Sequence, residues 1–266
     1  MNTLLLRSMG AALTLSSLFV AQVAAADDTP PLTGPSLDTT GKPLNPPAPT
    51  GGTPKLVGVS AFGGAMVVDM SSINDRLSAN GYSNKLPLVF PILGGQGFGL
   101  FGHFLIGGSG AGLLARSVDG KDVNGSATKV SASGAWGTFD FGYQLLRVNG
   151  FLLAPVISLG GYGMDVSINS KNADSFDNAV NNPTRGSNLT NNGFLAGISL
   201  IAKTIVIGRN AHVADARSGW ALGLRVGGLY GIPSHGWRSN GADISGGPAF
   251  GLRGGYAALS IGAGTW

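Results

Sequence analysis

The chain has 266 residues, of which 45 are glycine, none is cysteine and only 11% are charged, for a formal net charge of +4. The lack of cysteine excludes a disulfide framework and a thiolate metal site, and the charged fraction is about half that of an ordinary soluble domain. Lysine and arginine stand singly and every acidic residue is aspartate, so the basic footprint of a nucleic-acid-binding protein is missing.

Residues 1–26 read as a secretory signal peptide: Arg7 precedes the apolar stretch 10–20, and Ala24-Ala25-Ala26 precede Asp27. An apolar core of roughly 11 residues falls short of the ~20 that a helical membrane anchor needs. No later stretch offers ~18 uninterrupted apolar residues, which argues against a helical membrane protein. Residues 27–54 are rich in proline, glycine and threonine. Proline removes backbone donors, and so little apolar content cannot repay ordering, so a disordered, extended segment is expected. With a single lysine, Lys42, and no aromatic residue, it lacks the cluster of anchors that would mark a partner-binding arm. Residues 55–266 are expected to form one β-domain.

From Leu56 onward the pattern becomes short β-type runs. In Leu56–Met70, Val57, Val59, Ala61, Ala65 and Val67 alternate with Gly58, Ser60 and Gly64. In Gly95–Ile106, Phe98, Leu100, Phe104 and Ile106 are expected on one face with His103 on the other. Gly107-Gly108-Ser109-Gly110 reads as a tight turn, since glycine reaches positive φ freely. Ala111–Val118 is the third run. In the fourth, Thr128–Leu146, Phe139, Phe141, Tyr143 and Leu145 alternate with Thr138, Asp140, Gly142 and Gln144. Period-two alternation with opposite chemistry on the two faces is the pattern of a barrel strand. The turn 147–150 ends in Asn149-Gly150, a strong hairpin signal. The remaining runs are 151–168, 193–207, 219–232 and 248–266. In the seventh, Trp220, Leu222, Leu224, Val226 and Tyr230 oppose Ala221, Gly223, Arg225 and Gly227.

Connection lengths alternate along the chain. Short ones (107–110, 147–150, 208–218) interleave with longer polar ones (71–94, 119–127, 169–192, 233–247). Outer-membrane barrels place short turns in the periplasm and long loops outward. The expected fold is therefore an all-β, antiparallel up-and-down transmembrane barrel of eight strands, with ten as the alternative count. A helix is expected over 71–81 in the first outward loop, with a serine N-cap, Ile73 and Leu77 four apart, and Gly81 as the stop. It would cap the barrel mouth or rest on the membrane surface.

With Trp266 as a terminal aromatic closing the last run, the stretch from Leu56 to Trp266 resembles small bacterial outer-membrane barrels, the eight-stranded OmpA-like and OmpX-like class. The resemblance implies a Gram-negative outer membrane, contact with its lipid and lipopolysaccharide, and insertion by the barrel-assembly machinery; a monomer is expected. The phase of the last run is irregular. Gly264, Gly262, Ser260, Ala258 and Tyr256 share the face of Trp266, while Leu259 and Ile261 fall opposite. A bulge near 262–264, or a glycine-carried lipid face, would reconcile this, and one near 254–255 would turn Arg253 inward.

Eight strands leave an interior just filled by side chains. His103, Arg116, Asp140, Gln144, Arg225 and Arg253 are the candidates for a polar lumen network, with Asp140 expected to pair with an arginine because an unpaired buried charge costs several kcal/mol. The expected role is structural or surface-interactive, as in adhesion. The alternatives are a narrow passive pore and a lipid-modifying enzyme. The last would need a nucleophile or paired carboxylates with a positioned histidine. His235 follows Ser234, with Asp243 eight residues on, and His212 precedes Asp215; neither spacing is diagnostic. No enzymatic activity, metal or cofactor is expected. The glycine-rich 94–99 lacks the helix that a nucleotide loop requires.

Overall fold

The computed structural model describes residues 56–148, 150–171, 186–210, 217–239 and 241–265. The expected signal peptide, the segment 27–54, the pair His212/Asp215 and Trp266 lie outside the described residues. In chain order the elements are β1 (Leu56–Val68), α1 (Ser71–Ala79), β2 (Val89–Phe101), β3 (Phe104–Lys121), β4 (Ala127–Tyr143), β5 (Leu146–Val148), β6 (Phe151–Ser170), β7 (Gly186–Asn210), β8 (Arg217–Pro233), β9 (Arg238–Ser239), β10 (Ala242–Asp243) and β11 (Arg253–Thr265).

Eight of the strands close a barrel. β1 lies antiparallel between β2 and β11, and the pairing of β6 with β7 joins the two halves, so the eight-stranded circuit has no free edge. Val57 pairs with Thr265, which puts both chain ends of the barrel at one end, here the terminal end. β5, β9 and β10 lie outside the circuit as short additions.

The hydrophobic pattern sorts the two faces of the wall. Phe139 and Phe141 on β4, Ile157 and Leu159 on β6, Leu222 and Leu224 on β8, and Leu259 and Ile261 on β11 are all exposed on the outside. Their sequence neighbours Thr138, Asp140, Ser158, Arg225, Ala258 and Ser260 are buried inside. A continuous apolar belt of this kind on the outside of a closed sheet suits an apolar solvent.

The connection at 107–110 and the phase of the last strand differ from the sequence expectation. Residues 107–110 are not a turn. They lie within β3, and the chain reverses earlier, between the paired Phe101 and Phe104, over Gly102 and His103. Gly102 has φ +64°, which the reversal requires. Phe104 and Ile106 are consequently exposed, whereas Phe98 and Leu100 are buried. Gly107 has a different use: a Cβ there would run into the carbonyl oxygen of Gly97 and the Phe98 ring, so only glycine lets β2 and β3 approach. In β11 the pairing with both neighbours runs without a register shift from Gly254 to Gly264. The bulges that would have reset its phase are absent from that span. Tyr256, Ala258 and Ser260 line the interior, and Leu259 and Ile261 form the outer face.

The helix α1 is where the sequence places it, but its cap is supplied differently. The residue before it, Met70, makes no side-chain cap bond, and Asp69 instead accepts from the Ser71 N–H at 3.1 Å and the Ser71 hydroxyl at 2.6 Å. The helix ends in a Schellman motif: Gly81 N–H bonds Ser78 C=O and Tyr82 N–H bonds Leu77 C=O, both at 3.0 Å. Gly81 has φ +78°, and a Cβ there would also crowd Val123. Gly81→Ala should therefore lower unfolding free energy by about 1–2 kcal/mol, read as a reduced denaturant midpoint; an unchanged midpoint would mean that the helix end contributes nothing. Ile73 and Leu77 are buried in the core at the loop end, so α1 caps the barrel mouth.

Candidate functional site

The interior is stacked in three layers. Nearest the terminal end, Phe98, Leu100, Leu105, Leu152, Val156 and Ile201 form an apolar plug. At the loop end a larger apolar core joins Phe62, Met66, Phe90, Trp136, Met164 and Tyr256 from the wall to Ile73 and Leu77 of α1 and to Trp237 and Phe250 of the last long loop. Between them lies a polar belt centred on Arg225.

Arg225 is fully enclosed and ion-paired with Asp140 at 3.0 Å, with side-chain exposures of 2% and 0%. All three guanidinium nitrogens are used. Nη1 donates to Asp140, to Ser109 Oγ at 2.9 Å and to Gln96 Oε1 at 3.3 Å. Nε donates to Ser199 Oγ and Nη2 to Ser158 Oγ, both at 3.1 Å. Asp140 additionally accepts from Ser109 and Ser158 at 2.6 Å and from Thr138 at 3.0 Å. Gln96 and Lys203 both donate to Ser60, and the Lys203 ammonium sits 5.1 Å from the Phe98 ring centre. A buried pair offsets its desolvation only when its remaining donors and acceptors are bonded, and here hydroxyls from four strands do this.

Of the six residues expected in the lumen, the structure brings together Asp140 and Arg225. Four lie elsewhere, and those placements correct the expectation. His103 is in the terminal-end reversal and exposed, its ring 6.0 Å from that of Tyr143. Gln144 follows the last residue of β4 and belongs to the turn, where its N–H bonds His103 C=O at 2.8 Å. Arg116 stands just past a register shift between Leu113 and Arg116 and is exposed. Arg253 is on the outer wall, over the Tyr230 ring at 4.5 Å. The residues that sequence reasoning missed are Gln96, Ser109, Ser158, Ser199 and Lys203. Each is an isolated polar residue at an inward position, and only cross-strand register brings them to one level.

At the loop end, Ser234 Oγ lies 3.2 Å from His235 Nδ1, and Asp243 is bonded to Arg238 at 2.7 Å. The hydrogen bond from Arg238 and then its charge hold the Asp243 carboxyl below its ordinary range. Asp69 is likewise held low, first by the Ser71 hydroxyl and then by the Ser71 N–H. Among the described residues no group of three or more metal-binding side chains occurs.

No family model and no curated protein sequence matches the chain. Among solved structures, the chain is similar to the outer membrane protease OmpT from Escherichia coli, at 10% identity and a TM-score of 0.30, over 80% of this chain and 96% of that one. The expectation that the chain is no enzyme is corrected on this point: the solved structure found in this comparison is itself named as a protease.

Proposed function

We propose that the chain is an outer-membrane barrel with a sealed lumen, acting through the loops and short strands at its outward end in a structural or surface-interaction role. The loop end is outward and the terminal end periplasmic, because short reversals gather at the latter and the capped, longer connections at the former. The observation that carries the reading is the interior itself: a fully hydrogen-bonded Arg225–Asp140 pair between two apolar plugs. That filling leaves solutes no polar path from end to end. The outer belt supports contact with membrane lipid and lipopolysaccharide, and the closed circuit supports a monomer inserted by the barrel-assembly machinery. Refolded protein added to planar bilayers should give no stable conductance steps; discrete, reproducible steps would favour the narrow pore.

A second reading, a lipid-modifying enzyme, is favoured by the Ser234–His235 contact on the exposed rim. There the imidazole would act as base for the hydroxyl. Under that reading His235→Ala abolishes turnover of a lipid substrate while leaving the folded band on a cold-detergent gel. Equal turnover by the variant contradicts it.

A further inference from the structure

Arg253 is a charged residue that the wall presents outward rather than inward. In β11 the buried set is Tyr256, Ala258 and Ser260, and the opposite set runs Arg253, Gly255, Ala257, Leu259, Ile261. Arg253 pairs with Tyr230 of β8, itself exposed, and its carbonyl accepts from Asp69 N–H at 3.0 Å. Exposed Val67, Phe194 and Ile232 stand on the strands around it. A guanidinium among such neighbours is costly in hydrocarbon but nearly free at the interface.

Its height fits the interface. β11 has 13 residues, about 40 Å at roughly 3.3 Å per residue, and at the usual tilt of ~40° this rises about 30 Å along the barrel axis. Arg253 begins that strand at the loop end, and no charged residue follows it to Thr265. The apolar band of ~25 Å therefore lies below it.

The fork is held and unused. The Tyr230 ring centre lies 4.5 Å from the guanidinium carbon, within cation–π range. Among the described residues the Arg253 side chain has no hydrogen bond or ion pair. The nearby Asp69 carboxylate is committed to Ser71. A planar five-donor fork at an interface matches a phosphate in two-point contact.

We propose that Arg253, on its Tyr230 platform, clamps a phosphate-bearing lipid headgroup of the outward leaflet against the outer wall. The proposal rests on the membrane reading above. The test uses full-chain protein refolded into phosphatidylcholine vesicles doped with phosphatidic acid, extracted in mild detergent, with retained lipid counted by native mass spectrometry. Wild type should retain phosphatidic acid about tenfold over Arg253→Ala, the scale of one charge-assisted contact. Arg253→Lys should retain an intermediate amount, Tyr230→Leu should lose most of it, and Asp69→Asn should keep it. Equal retention by wild type and R253A, equal retention of phosphatidylcholine, or displacement by millimolar inorganic phosphate would each overturn the clamp while leaving the barrel reading intact. Failure of wild type to enter vesicles would overturn both. If R253A does not give the folded gel band, the comparison of wild type with R253K decides, and equality there overturns the two-point contact.

Discussion

Asp140→Ala should lower unfolding free energy by about 3–5 kcal/mol, the cost of leaving a buried guanidinium without its counter-charge. Asp140 is fully enclosed, and its removal takes one ion-pair contact at 3.0 Å and three hydroxyl contacts at 2.6–3.0 Å from the belt. Serine and glutamine oxygens remain around Arg225, but they carry no charge. The pair is not in itself a stability device. Replacing both partners with apolar residues of similar volume, Asp140→Leu with Arg225→Met, should recover most of that loss, because neither charge is then desolvated. Denaturant unfolding in detergent micelles measures both variants. A D140A protein within about 1 kcal/mol of wild type would mean that the belt is open to water.

The second large effect concerns the glycines that set the shape of the wall. Gly160 faces inward on β6, and a Cβ there would meet the carbonyl oxygen of Gly137 and, at 2.7 Å, the Cα of Thr138. Both belong to β4, so relief requires separating paired strands, and Gly160→Ala should cost about 3 kcal/mol or abolish refolding. Gly137 faces outward on the same pair of strands, and a Cβ there meets nothing within 4 Å. Gly137→Ala should be neutral or slightly stabilising, since it only removes freedom from the unfolded chain. Refolding yield by the heat-dependent gel shift distinguishes them; equal yields would show that inward glycines do not set the strand spacing.

These glycines also explain which parts of the fold could be read in the sequence. The alternation of Phe139 and Phe141 with Thr138 and Asp140 was legible because large apolar and polar side chains mark opposite faces without help from other strands. The same holds for Trp220–Tyr230 around Arg225, and Asn149-Gly150 marks its hairpin through local turn chemistry. The stretch 107–110 was not legible, because a run of glycine looks alike in a turn and in a strand that must pass close to its neighbour. Once that reversal was set too late, His103 acquired an inward position that it does not have, and Phe104 joined the wrong face.

The candidate site was legible in its charges and not in its hydroxyls. Asp140 and Arg225 each sit in a strand whose opposite face is strongly apolar, so their direction follows from the pattern. Ser109, Ser158 and Ser199 share no local signature, and what makes them a shell is register: Asp140 pairs with Gly107 and Ser158, and Arg225 with Ile201 and Ala258. Arg253 was misplaced because a bulge at 254–255 was needed to turn it inward, whereas β11 pairs with β1 without a shift from Gly254 onward.

The absence of cysteine makes one measurement decisive for a membrane barrel with a sealed interior. Ala258 is buried and the adjacent Leu259 is 71% exposed on the outer face. In vesicles, Ala258→Cys should stay unlabelled by a water-soluble maleimide and by a lipid-phase thiol reagent, both becoming reactive only on unfolding. Leu259→Cys should react with the lipid-phase reagent alone. Rapid labelling of A258C by the water-soluble reagent in folded protein would contradict the sealed lumen, and water-phase labelling of L259C would contradict the membrane span.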